Sequence, residues 1–194
     1  MKNSIIILIS ILSFSFAFGQ SGTKTTQSRV VSKIDSTYNN EIVLIQEFTV
    51  KVPLDSVWNA YTTKKGWESA FVAIAEIDFR VGGSIRTSYS KNAIIGDSTT
   101  IVNQIVNYVP KKILTLQPEI SENFPEFMKK ESQGFYNVVY FTEISKNETR
   151  VESYGIGYKN NSKYLSLLKF FIKGNEDSYL NLINYLENGV KVKY

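Results

Sequence analysis

The feature that most constrains the fold is an amphipathic stretch near the C-terminus. Leu165, Leu168 and Ile172, then Tyr179, Leu182 or Ile183, and Leu186 recur at three- and four-residue spacing. That spacing lines one stripe of a helix. Gly174-Asn175 can kink this helix or split it in two, and Gly189 stands where a glycine ends one. A helix of this length buries its stripe only against a broad apolar surface, so the rest of the chain has to supply a sheet.

The preceding residues read accordingly. Residues 41–52 form the first strand, with Phe48, Val50 and Val52 on one face and Glu47, Thr49 and Lys51 on the other. Pro53 stops the strand and suits the first turn of a helix, on which Leu54, Val57, Trp58 and Tyr61 share a side. Residues 67–71 read as an irregular aromatic segment. Further strands are expected over 72–79, 84–90, 98–109, 113–117, 135–144 and 149–158, with turns at Val81-Gly82-Gly83 and Pro110-Lys111-Lys112. A short helix is expected near 125–131. Antiparallel strands closed by a terminal helix define an α+β fold.

Composition narrows the chemistry. The 194 residues suffice for one domain with a real core, and 43% hydrophobic against 21% charged residues is a globular balance. The chain has no Cys and no His. The commonest general acid/base, the imidazole metal ligand, the thiol nucleophile, the disulfide and the iron–sulfur cluster are therefore excluded. Oxygen-only metal sites need clustered carboxylates, and no such spacing is present, so neither metal nor cofactor is expected. The net charge of +4 is spread out. Nucleic acid is not an expected partner, because its binding needs a concentrated basic stripe.

Residues 1–20, MKNSIIILISILSFSFAFGQ, have the three parts of a secretory signal: Lys2, an apolar run from Ile5 to Phe16, and small residues at Ala17 and Gly19. A signal peptide over 1–19 is expected, making the chain exported, either periplasmic or secreted. The apolar run falls short of the about 20 residues that span a bilayer. With no Cys for a lipid anchor and no later spanning segment, no stable membrane anchor is expected after cleavage. Residues 20–40 are polar and read as a flexible lead-in, with Val30, Val31 and Ile34 available for an edge strand.

Three segments carry a family resemblance. They are Phe48-Thr49-Val50-Lys51-Val52-Pro53 followed by Val57-Trp58, then Asp78-Phe79-Arg80-Val81-Gly82-Gly83, and the strand–turn–strand of Ile105 to Leu114 around Pro110. Together with the closing helix, residues 41–190 resemble the START-like, polyketide-cyclase-type (SRPBCC) superfamily. The branch is that of homologues of the activator of a heat-shock chaperone ATPase. The resemblance implies a helix-grip fold: a curved antiparallel sheet of about seven strands wrapped around a long C-terminal helix, two short helices after the first strand, and a cavity between sheet and helix. Many relatives bind apolar small molecules or lipids and some are cyclases or dehydratases, so the fold alone does not set the function.

Candidate cavity residues follow from phase and from this resemblance. Phe48, Val50, Ile77, Phe79, Ile85, Tyr89 and Tyr140 are expected as walls, Leu168, Ile172, Tyr179 and Ile183 as the roof, and Trp67 near an entrance. Glu143 is in phase with Val139 and Phe141, where an apolar setting would raise its pKa and suit it to be an acid. Trp58 is expected in the core, and Asp78 with Arg80 as an outward pair pinning a hairpin. No catalytic residue is assigned. The leading reading is an exported protein holding an apolar or lipid-like small molecule. The alternatives are a cyclase- or hydrolase-like enzyme using a cavity carboxylate or Tyr, and a non-catalytic envelope interaction module with an exposed apolar patch.

Overall fold

A computed structural model describes residues 28–37, 40–122, 124–130 and 134–193. The expected signal peptide lies outside the described residues. Along the chain the elements are β1 (Val30–Asp35), β2 (Glu41–Val50), α1 (Leu54–Thr62), α2 (Lys64–Ala70), β3 (Ile74–Ile77), β4 (Ser84–Ser88), β5 (Ile101–Val109), β6 (Ile113–Pro118), α3 (Glu126–Lys130), β7 (Tyr136–Ser145), β8 (Glu148–Lys159) and α4 (Ser162–Asn188). This is an α+β fold of the helix-grip type.

Among the described residues one antiparallel sheet runs in the order β1-β2-β8-β7-β6-β5-β4-β3. It has eight strands where the resemblance implied about seven. The extra one is β1, in a segment read as flexible lead-in. Val30 pairs with Phe48 there and is buried, and Asp35 pairs with Val43. Two apolar residues in a polar stretch suffice when a neighbouring strand supplies the hydrogen-bond ladder. The segment over 67–71, expected to be irregular, is instead mostly helix α2. The Thr63 hydroxyl caps it by accepting from the Gly66 N–H at 3.1 Å.

Helix α4 is continuous through Gly174-Asn175, so the split does not occur. Its start is fixed by Asn161, whose Oδ1 accepts from the N–H groups of Lys163 and Tyr164, both at 3.1 Å. Its end is fixed by Gly189 at φ 71°, a left-handed conformation that costs glycine nothing. The helix lies against β1, β2, α1 and α2, and does not cover the whole concave face.

Two apolar clusters form as a result. The larger joins α1, α2 and the C-terminal half of α4 to the sheet through Phe48, Trp58, Phe141, Val151 and Leu182. Trp58 packs edge-on to Phe79 and Phe141, so it is a core residue as expected. The smaller cluster unites Ile42, Leu44, Met128, Phe135, Tyr164 and Leu168 under the N-terminal half of α4. Asp78 and Arg80 form an exposed ion pair at 2.9 Å on the β3–β4 turn.

Candidate ligand-binding site

Between the two clusters the inward face of the sheet turns polar. Along β2 the inward positions are Ile42, Leu44, Gln46, Phe48 and Val50. Gln46 pairs with Ser153 on β8, and the neighbouring strand β7 presents Asn137 opposite Gly155. A band of amides and a hydroxyl therefore runs diagonally across three adjacent strands, Ser153 lying opposite Val139 and reaching Asn137 one inward position further along.

This band is bolted to the helix. The Gln46 Oε1 accepts from Asn175 Nδ2 at 2.8 Å, and its Nε2 donates to the Ser32 hydroxyl at 2.9 Å. Ser32 in turn donates to Glu176 at 2.6 Å. The Tyr179 hydroxyl donates to Ser153 Oγ at 2.9 Å, which donates to Asn137 Oδ1 at 3.1 Å. Buried polar groups are tolerated when paired like this. The bonds hold α4 at a fixed height above the sheet.

The space left under the helix is a cavity of about 710 Å³, within the roughly 300–1,000 Å³ usual for ligand pockets. Its walls are largely apolar and aromatic, with Leu44, Met128, Phe135, Tyr158 and Phe171 prominent, and Gly155 and Gly174 contribute no side chain to fill it. Tyr89 and Phe170 line it while remaining 54% and 72% exposed, and so form its rim. A smaller chamber of about 150 Å³ adjoins it, sharing Asn103, Asn137 and Asn175 and reaching Tyr61, Trp67, Phe71 and Tyr179.

Among the described residues no Lys or Arg lines either chamber. The one acidic lining residue among those described, Asp177, is mostly exposed and sits 3.4 Å from the Lys173 ammonium. Burial raises the pKa of Tyr61 well above the usual phenol value and raises that of Tyr179. Burial, with a smaller contribution from Tyr179, pushes Tyr158 up to about 12. All three are neutral hydrogen-bonding groups at neutral pH.

Of the thirteen sequence candidates the structure brings Trp67, Tyr89 and Tyr179 to the chambers. The Trp67 indole N–H donates to the Tyr61 carbonyl at 2.7 Å, fixing its ring in the inner wall. Phe48, Val50, Ile85 and Ile183 are packed in the larger cluster, with Ile77 and Phe79 against it. Leu168 and Ile172 belong to the smaller one.

Two candidates are placed elsewhere altogether. Tyr140 is 44% exposed and packs edge-on to Tyr154, because Val139 and Phe141 take the inward phase of β7. Glu143 shares that inward phase but is exposed, since β7 runs on past the edge of the core before it reaches Ser145. It has no place in the cavity, so the acid role suggested by its phase has no support there. Gln46, Asn103, Asn137, Ser153 and Asn175 escaped the sequence reading. For Gln46, Asn137 and Ser153 the signal was a polar residue at an inward position of an otherwise apolar alternation, repeated on β2, β7 and β8.

A twisted antiparallel sheet gripping one long helix around a cavity defines the helix-grip class. The chain belongs to the family described as "Activator of Hsp90 ATPase homolog 1-like protein", whose model matches residues 51–187. No curated protein matches the sequence. Among solved structures the chain is similar to a conserved protein of unknown function from Enterococcus faecalis, at 15% identity and TM-score 0.61 over 83% of this chain and 80% of that one. It is also similar to an Aha1 dimer from Colwellia psychrerythraea, at 15% identity and TM-score 0.56 over 76% and 97%. An HSP90 activator from Plasmodium falciparum matches at 16% identity and TM-score 0.56 over 74% and 94%. These likenesses carry the fold. The fold is one suited to ligand binding or to chaperone activation.

Proposed function

We propose that the protein is an exported carrier that holds an apolar or lipid-like small molecule between the sheet and α4. The observation that carries this reading is the cavity of about 710 Å³. A domain of this size ordinarily packs its interior to crystal-like density; this space is instead a cleft open on one side, whose apolar walls stay in contact with water until a ligand covers them. Apolar burial in it would contribute about 25 cal/mol per Å², and the polar band would orient the occupant. Export rests on the three-part pattern of residues 1–20. It favours a carrier over a partner of cytosolic ATP-driven chaperones.

Native mass spectrometry and solvent extraction of protein purified from its own host test the first part. The expected result is one small molecule per chain; protein that arrives empty and fails to take up a neutral dye such as Nile red would refute it. N-terminal sequencing of the mature protein tests the second, with a start at Gln20 expected. Stimulation of an Hsp90 ATPase by ligand-free protein would instead favour the activator reading.

A further inference from the structure

Two features of the inner chamber point to the kind of group it would hold. The first is an orphan: the Tyr61 hydroxyl is buried, with no hydrogen-bond partner among the described residues, and Tyr61 itself is only 5% exposed. Buried polar groups without partners are rare and call for a specific explanation. The second is spare amide capacity. The whole Asn103 side chain is without a hydrogen-bond partner among the described residues, whereas Asn137 is engaged by Ser153 at its Oδ1 and by the Tyr179 hydroxyl. Both amides line the chamber beside Tyr61. An amide presents donors and acceptors with no charge, and a phenol at neutral pH donates one hydrogen bond.

We infer that this inner chamber seats an uncharged oxygen-bearing head group, such as an alcohol or carboxamide, of an amphipathic ligand whose apolar body fills the larger chamber. The inference rests on the carrier reading and narrows it to a ligand class. Tyr61 donates to the head-group oxygen, and the Asn103 amide completes its hydrogen bonding. A carboxylate or phosphate is disfavoured, because among the described residues neither chamber has a lining cation to pair with it and an unpaired charge is costly to bury. The chamber's about 150 Å³ suits a small group and not a long chain.

The experiment compares three ligands with one body and different heads: cetyl alcohol, palmitamide and palmitate. Binding to delipidated full-length mature protein is followed at neutral pH by tryptophan fluorescence, since Trp67 lies in the chamber wall, and by Nile red displacement. The expected result is alcohol and amide binding at least tenfold tighter than palmitate. Tyr61→Phe should weaken both neutral ligands about three- to tenfold, the worth of one net hydrogen bond, and should leave palmitate unchanged. Asn103→Leu, which breaks no bond within the protein, should narrow the same preference. If palmitate binds as tightly as the neutral ligands, or if neither variant alters the preference, the head-group inference is overturned while the carrier reading stands. If none of the three ligands nor Nile red binds, both fall together.

Discussion

Tyr61→Phe should stabilise the ligand-free protein, which is the opposite of what deleting a buried hydroxyl usually does. The ring is held edge-on by Phe71 at 5.4 Å and Phe141 at 5.1 Å, and those contacts survive the change. What is removed is a buried hydroxyl with no partner among the described residues. Leaving such a group unsatisfied costs about 1–3 kcal/mol, so taking the low end gives a gain of about 1 kcal/mol, offset little by the small void left by one oxygen. For a chain of this size about 1 kcal/mol moves the melting temperature by about 2–4 °C. Tyr179→Phe is the matched control. Its hydroxyl does have a partner, Ser153 at 2.9 Å, so the same chemical change should cost about 1 kcal/mol. Thermal and urea denaturation of delipidated wild type and both variants measure the two signs. A loss of about 1 kcal/mol or more for Tyr61→Phe would show that the hydroxyl is satisfied, and the argument for a vacant donor would fail.

Three further outcomes test other parts of the structure. Tyr158 ionises near 12 in the folded protein against 10.0 when exposed. The neutral form is therefore favoured by folding, and its contribution is complete below pH 10 and lost as pH rises from 10 to 12. At about 1.4 kcal/mol per unit that is on the order of 3 kcal/mol, read as a fall in urea midpoint over that window alongside delayed phenolate absorbance. Gly83→Ala should cost about 2–3 kcal/mol, because a Cβ there meets the Asp78 carbonyl. The turn cannot shift freely, since Gly83 bonds both Arg80, at 2.9 Å, and Ile105, at 2.8 Å; urea unfolding checks it. Glu143→Gln should change stability by no more than about 0.5 kcal/mol and leave ligand affinity unaltered. A large effect on affinity would revive the acid reading.

The order of the elements was legible because each relied on a local signal: alternation for β2, β4 and β8, Pro53 before α1, Gly189 after α4. The edge strand β1 and helix α2 were not, for a shared reason. Val30 is buried by its ladder with β2, and Trp67 by its packing against Phe71 in the larger cluster. Neither depends on periodicity within its own segment. The site was read less well than the fold. Apolar phase identifies what packs, so it selected Phe48, Val50 and Ile85, which fill the core and leave no room beside them. A cavity lies where packing is interrupted, and its markers are the polar residues that break the phase. Taken singly, Gln46, Asn137 and Ser153 look like ordinary strand polarity. Their meaning depends on strand order, which sets β2, β8 and β7 side by side and brings the three breaks together along one diagonal.

Gly174 puts the balance between stability and an open cavity to a direct test. It sits inside the continuous helix α4, where glycine is about 0.8–1.0 kcal/mol less favourable than Ala, and its φ lies outside the left-handed range that would require glycine. A Cβ built there meets nothing within 4 Å, so no clash forces the choice either. Its position explains it: Gly174 lines the larger chamber, one residue before the Asn175 that holds α4 to Gln46. Gly174→Ala should therefore stabilise the ligand-free protein by about 1 kcal/mol through helix propensity alone. Gly174→Leu has nearly the same propensity and adds a branched side chain at the cavity wall, so it should keep most of that gain while weakening binding of cetyl alcohol or Nile red severalfold. Denaturation and binding measured on the same two variants then separate the roles. If Leu stabilises and leaves affinity intact, the residue does not face the ligand; if Ala destabilises, the backbone at 174 is held by something other than helix geometry. Stability rising in both variants while affinity falls in the larger one is the pattern of a roof kept thin for an occupant.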